Sequence, residues 1–203
     1  MPLAKQVGDK VSEEEYLKSE LTSEVRHEYI DGYVYAMAGA SINHNRISRN
    51  ISNLLENDFI KKDSPCESFL SDMKAKESEE TTKYFYPDVL VTCDPDDNES
   101  EYYVNTSIII VEVLSESTRK YDLTAKKLYY FNIPTLQEYV VIEQDLCQII
   151  VFRKSNHWEA TYYFLGDDIS FESIDVTISV ENIYRRVDNK EMVDFLKDKK
   201  GAE

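Results

Sequence analysis

Two short apolar runs, each carrying one acid, constrain this chain more than any other feature. Tyr86-Pro87-Asp88-Val89-Leu90-Val91 holds Asp88, and Ile108-Ile109-Ile110-Val111-Glu112-Val113-Leu114-Ser115 holds Glu112. Both runs are rich in β-branched residues and bounded by polar segments, so they read as buried strands. An ionised carboxylate inside a buried strand is costly unless it is paired or binds a metal. The fold must therefore bring both strands to a compensating cation. A lysine pair follows in Tyr121-Asp122-Leu123-Thr124-Ala125-Lys126-Lys127.

Two carboxylates on neighbouring strands, with a lysine to follow, are the parts of a metal-dependent phosphodiesterase site. Such hydrolysis needs a metal to polarise the phosphate, an activated water and stabilisation of developing negative charge. Mg2+ (or Mn2+) takes hard oxygen ligands and keeps several waters. Asp88, Glu112 and the backbone carbonyl of Val113, one step beyond Glu112, make a sufficient set. Lys126 then orients the attacking water or offsets charge in the transition state.

The rest of the chain reads as one α/β domain over residues 1–203. Ser12-Glu13-Glu14-Glu15 has the capping-box pattern and starts a helix through Glu20. Asp31-Gly32 between two strand-like runs signals a hairpin. Ile47, Ile51, Leu54, Leu55 and Phe59 recur at helical spacing and predict a long amphipathic helix over 41–62. A third strand falls within 66–75, and 77–83 is a polar loop. Residues 118–131 read as a helix stopped by Asn132-Ile133-Pro134. Strands follow at 138–142, 148–153, 158–164 and 169–178, then a short helical turn over 179–184. Residues from about 185 to 203 form a C-terminal tail, frayed from Lys197.

A chain of 203 residues can bury a sizeable core, and its 42% hydrophobic content marks it as globular. Its apolar runs fall short of the ~20 residues a membrane span requires. The start, Met1-Pro2-Leu3-Ala4-Lys5, lacks an apolar signal region. A cytoplasmic protein with no membrane partner is expected. Cys66, Cys93 and Cys147 are far apart and odd in number, so they read as reduced thiols without a disulfide framework.

Charge argues against a nucleic-acid partner. The net charge is −16, from 23 basic and 39 acidic residues, whereas phosphate neutralisation supplies most nucleic-acid affinity. Arg119, Lys120, Lys126 and Lys127 form a local basic cluster near Glu112. It is either a phosphate-binding patch or an ordinary solvated helix start. The acidic run over 94–101 is a solvated loop that lacks the glycine and twelfth-position glutamate of an EF-hand. The 15 tyrosines lie mostly in strand-like segments, where Tyr is simply a good sheet former.

The chain resembles the Uma-two type restriction-endonuclease-like family of the PD-(D/E)xK nuclease superfamily. The matching residues are Arg26-His27-Glu28-Tyr29-Ile30-Asp31-Gly32, Ala38-Gly39-Ala40-Ser41 with His44-Asn45, Tyr86-Pro87-Asp88-Val89, and Val111-Glu112-Val113-Leu114-Ser115. Ser117-Thr118, Asp122, Lys126, Tyr130 and the stretch from Pro134 to Tyr139 continue the series. The resemblance runs from the first helix to the Trp158 region. It implies a restriction-endonuclease-like core, a mixed central sheet flanked by helices with additional antiparallel strands. It further implies metal on Asp88 and Glu112, DNA as substrate, and a homodimer, since two strands must be cut. The superfamily's usual lysine lies two residues after the second acid, where this chain has Leu114. The resemblance moves it to the following helix as Lys126, with Lys127 as the competitor. Adjacent helical positions do not share a face, so at most one points at the site.

Glu28 matches an acid that the superfamily often contributes from its N-terminal region, completing the metal site or ordering a water. Otherwise it is a charged residue flanking the hairpin. His44 reads as a helix-cap or supporting histidine, and its spacing to His27 and His157 argues against zinc. Asp122 reads as an acid favoured by a helix dipole, and Tyr130 as a core aromatic or a support for Lys126. Two functions remain: a metal-dependent DNA endonuclease, or a catalytically inactive nuclease-fold protein acting as an interaction or structural module. The acidity favours the second, and the set Asp88, Glu112 and Lys126 favours the first. Metal affinity separates them.

Overall fold

Local signals set most of the elements. In the computed structural model, which describes residues 6–77, 83–97 and 100–201, Ser12 and Glu15 form a full capping box at the start of α1 (Glu13–Glu20). Asp31 and Gly32 take φ values of 50° and 97°, as a tight hairpin turn requires. They join β1 (His27–Ile30) to antiparallel β2 (Tyr33–Ala36). Ser41 caps α2 (Ile42–Lys62) by accepting the His44 N–H. Two strands, β3 (Glu67–Leu70) and β4 (Lys74–Lys76), occupy the stretch expected to hold one. Then come β5 (Lys83–Phe85), β6 (Val89–Thr92), β7 (Tyr103–Val104) and β8 (Ile109–Leu114). The core of the expected polar loop, 78–82, lies outside the described residues, as do 98 and 99 of the acidic run.

The helix after β8 is built in three pieces: α3 (Arg119–Tyr121), a π-helical turn (Asp122–Lys126) and α4 (Lys127–Phe131). Strands β9 (Glu138–Glu143), β10 (Gln148–Arg153), β11 (Ala160–Phe164), β12 (Asp168–Phe171) and β13 (Val176–Ser179) precede α5 (Val180–Ile183). The tail is not frayed from Lys197. It forms α6 (Lys190–Gly201), docked by the buried Met192. Among the described residues no helix is long and apolar enough to cross a membrane.

The large mixed sheet runs β11-β10-β9-β8-β6-β3, with β8 and β9 parallel and the other neighbours antiparallel. A second sheet runs β2-β1-β5-β4-β7. Alternation sends the side chains of β6 and β8 to opposite faces. Val89, Val91, Val111 and Val113 pack with Ile47, Ile51, Leu55 and Phe59 of α2. Leu90, Ile110 and Leu114 pack with Tyr130, Leu136 and Tyr139 on the other face, together with Phe85 of the second sheet. Val89 pairs with Val111, so Asp88, one step before β6, falls opposite Glu112. Both share the Leu90–Ile110 face, toward the π turn.

A further expectation fails. Cys66 and Cys93 are joined in a disulfide, and Cys147 alone stays free and buried. The register pairs Glu67 with Thr92, which sets Cys66 against Cys93. Distance along the sequence carries no information about that pairing.

Candidate active site

Four elements deliver the polar residues of the site. β1 supplies Glu28, the end of the β5–β6 connection supplies Asp88, and β8 supplies Glu112. The helix supplies Asp122, Lys126 and Tyr130 at four-residue intervals, hence on one face. All six are buried. A π turn at this position is consistent with a functional role, since such bulges concentrate at functional sites.

Lys126 Nζ lies 2.7 Å from both Glu28 Oε1 and Glu112 Oε1. The Tyr130 hydroxyl donates to the same Glu112 oxygen at 2.7 Å. Asp88 Oδ2 accepts the Val113 N–H at 2.7 Å and lies 3.1 Å from His44 Nε2. The hydrogen bonds to the two strand acids thus fall on one oxygen of each, leaving Asp88 Oδ1 and Glu112 Oε2 without one among the described residues.

The electrostatics show a site short of positive charge. Burial pushes Glu112 well above the usual carboxylate range; Lys126 opposes the shift, and Asp122 and Asp88 reinforce it. Burial also pushes Asp122 up to about 6, against the pull of Lys126 and Thr118. Burial alone would lower Lys126, but Glu112 and Glu28 override it and hold the ammonium well above its ordinary value. Lys126 is therefore a charged donor and not a base. His44 behaves similarly: desolvation disfavours its charged form, yet Asp88 raises it above the ordinary value. Glu28, Asp88, Glu112 and Asp122 thus face one ammonium and one imidazole.

Such an excess suits a divalent cation. Among the described residues no three His, Cys, Asp or Glu side chains form a ready cage for a metal ion. The donors that fit are two carboxylates, the Val113 carbonyl and water, a hard set appropriate to Mg2+ or Mn2+. Asp88 and Glu112, one from each neighbouring strand end, each have an oxygen to spare, and so does Glu28, whose Oε1 alone meets Lys126.

The other predicted residues disperse. Lys127 turns away, its ammonium 4.6 Å from the Phe152 ring centroid. Arg119 makes two hydrogen bonds to Glu143, and Lys120 is exposed. The four-residue basic cluster is therefore not a patch. His27 pairs with Glu20 at 2.7 Å, away from His44. Leu114 is buried in the apolar core. Asp122 is more than a helix-dipole acid, being buried within the site. The 122, 126, 130 spacing was the available signal for it.

Comparison with known proteins places this chain in a family. The profile of the Uma2 family, described as "Putative restriction endonuclease", matches residues 13–181. The uncharacterized protein slr1290 of Synechocystis sp. is 38% identical over 178 residues, covering 87% of this chain and 92% of that protein. A second Synechocystis protein, the uncharacterized sll1609, is 37% identical over 163 residues, covering 78% and 89%. The crystal structure of a putative nuclease belonging to DUF820 from Anabaena variabilis superposes with a TM-score of 0.70 at 17% identity, covering 86% of this chain and 97% of that one.

Proposed function

We propose that this chain, which belongs to the Uma2 restriction-endonuclease-like family, is a divalent-metal-dependent endonuclease hydrolysing phosphodiester bonds in DNA. The observation that supports this is the convergence of Asp88, Glu112 and Lys126 from the β5–β6 connection, β8 and the following helix into one buried cluster with surplus negative charge. Asp88, Glu112 and the Val113 carbonyl would hold Mg2+ or Mn2+. When bound, the ion supplies Lewis-acid polarisation of the phosphoryl oxygen and a more acidic water.

The chain's own residues do the rest. Lys126 stays protonated and donates toward negative charge developing on the phosphate as the scissile P–O bond breaks. Glu28 and Tyr130 act as positioning residues: Glu28 anchors Lys126 from the neighbouring sheet, and Tyr130 fixes the Glu112 carboxylate. His44 and the Val113 N–H orient Asp88 in the same way. A homodimer would give two such centres for the two strands of a duplex.

The test is cleavage of plasmid and single-stranded DNA with Mg2+ or Mn2+, comparing wild type with Asp88→Ala and Glu112→Ala. Cleavage should vanish in both variants and in chelator, and Mn2+ should raise the melting temperature of wild type only. Full activity in either variant sinks the assignment. Absence of both cleavage and a metal-dependent thermal shift in wild type would favour the inactive module.

A further inference from the structure

A cleft of about 500 Å3 opens at the N-terminal end of α2, lined by Ser41, Asn45, Arg46, Arg49 and, from the segment between α5 and α6, Arg186. Three guanidinium groups meet there in a chain of net charge −16. None of the three forms an ion pair among the described residues, although 39 acids are available in the sequence, and no described carboxylate lines the cleft. The first turn of α2 also contains no acid, although a helix N-terminus favours anions and disfavours cations. Arginines without an acidic partner, gathered in one open cleft, are well placed for an oxyanion; Arg46 reaches only the neutral Asn43.

The third arginine is held in place. Asn50 donates to the carbonyls of Ile183 and Arg185 at 2.9 and 2.8 Å. Asn43 donates to the Asp188 carbonyl at 2.9 Å and accepts the Asp188 N–H at 3.1 Å. Two asparagines of α2 thus clamp both flanks of Arg186, which itself takes a left-handed φ of 66°. Left-handed backbone at a non-glycine residue is strained, and such strain clusters at ligand-binding positions. The same end of α2 carries His44 against Asp88, so the arginine cleft and the acidic site share one helical end.

We infer that this cleft binds the phosphodiester backbone of a nucleic-acid strand, with Arg46, Arg49 and Arg186 as phosphate contacts and Ser41 and Asn45 as neutral donors. That the strand is the one cut at Asp88 rests on the nuclease reading. Phosphate contacts position a strand without reading its sequence, so binding is insensitive to base composition.

The experiment is fluorescence anisotropy of labelled duplex and single-stranded oligonucleotides with the full chain, in EDTA so that nothing is cut, across a salt series. The three arginines are surface groups, and a thermal melt verifies folding of the triple variant Arg46→Ala, Arg49→Ala, Arg186→Ala. Its affinity should fall at least ~10-fold, and its log–log salt slope on duplex should lose about 2–3, near 0.9 per phosphate contact. Arg185→Ala, an exposed neighbour outside the cleft lining, should bind like wild type. Unchanged affinity and slope in the triple variant, an equal loss in Arg185→Ala, or no binding by wild type would each overturn the cleft. Arginine-dependent binding without Asp88-dependent cleavage would keep the cleft and retire the nuclease reading. Asp88-dependent cleavage with arginine-independent binding would do the reverse.

Discussion

Replacing Asp122 by Asn probes the charge balance of the site in isolation. Burial first, then Glu28 and Asp88, raise this carboxyl from an ordinary 3.8 to about 6. The folded state therefore holds the proton more tightly than the unfolded chain does. The group's contribution to stability is fully present below about pH 4 and is lost as pH rises through about 6. That difference corresponds to about 3 kcal/mol, and at 3% exposure solvent screening does little to reduce it. Asp122→Asn keeps the shape and removes the ionisation. In chelator, the variant should exceed wild type by about 3 kcal/mol at pH 7.5 and by roughly half that at pH 5. Urea unfolding at the two pH values reads both numbers. Equal stability at pH 7.5, or a gap that does not change with pH, would refute the claim that burial makes the ionised Asp122 carboxylate costly in the folded state.

Lys126→Met removes the one ammonium between Glu28 and Glu112 and should cost about 3–5 kcal/mol by leaving buried carboxylates unpaired. Lys127→Met loses only contacts with the Phe152 and Phe131 rings and should cost under about 1 kcal/mol; equal effects of the two would refute the distinction between them. Under native, non-reducing conditions, thiol titration should count no more than one reactive cysteine, Cys147, and three after reduction and unfolding. Reduction should destabilise the fold by about 3–4 kcal/mol for a sequence separation of 27, and three reactive thiols in the native protein would exclude the disulfide.

What was legible in the sequence was local chemistry. The capping box at Ser12, the Asp31-Gly32 turn and the periodicity of Ile47, Ile51 and Leu55 each specify an element within a few residues. Asp88 and Glu112 stood out because an acid in an apolar strand demands a partner. Register across strands was not legible. Cys66 meets Cys93 through the β3–β6 pairing, and no spacing along the chain encodes it. Asp122 was misread for a related reason: a helix-start acid and a buried site acid look alike until the facing strand is known. The split of β3 from β4 escaped because short polar segments show little periodicity; the helix of the last residues does have helical spacing, at Met192, Phe195 and Leu196, but it is obscured by the lysines and acids around them.

Net charge says little about any one face of the chain, for a physical reason. A net charge of −16 is a sum over the whole chain, but at physiological salt a surface charge acts over a Debye length of roughly 8 Å. A bound strand responds to the groups within that reach. The basic run visible in the sequence, from Arg119 to Lys127, dissolves on folding: Arg119 is spent on Glu143 and Lys126 on two buried acids. Arg46, Arg49 and Arg186, which no window on the sequence would group, meet in one cleft. Folding thus moves available positive charge away from the place where the sequence displays it. Two groups among the 39 acids of the sequence lie outside the lining of that cleft. Glu28, Asp88, Glu112 and Asp122 are buried where a divalent cation can answer them. Of the acidic run over 94–101, no described residue lines the cleft at the end of α2.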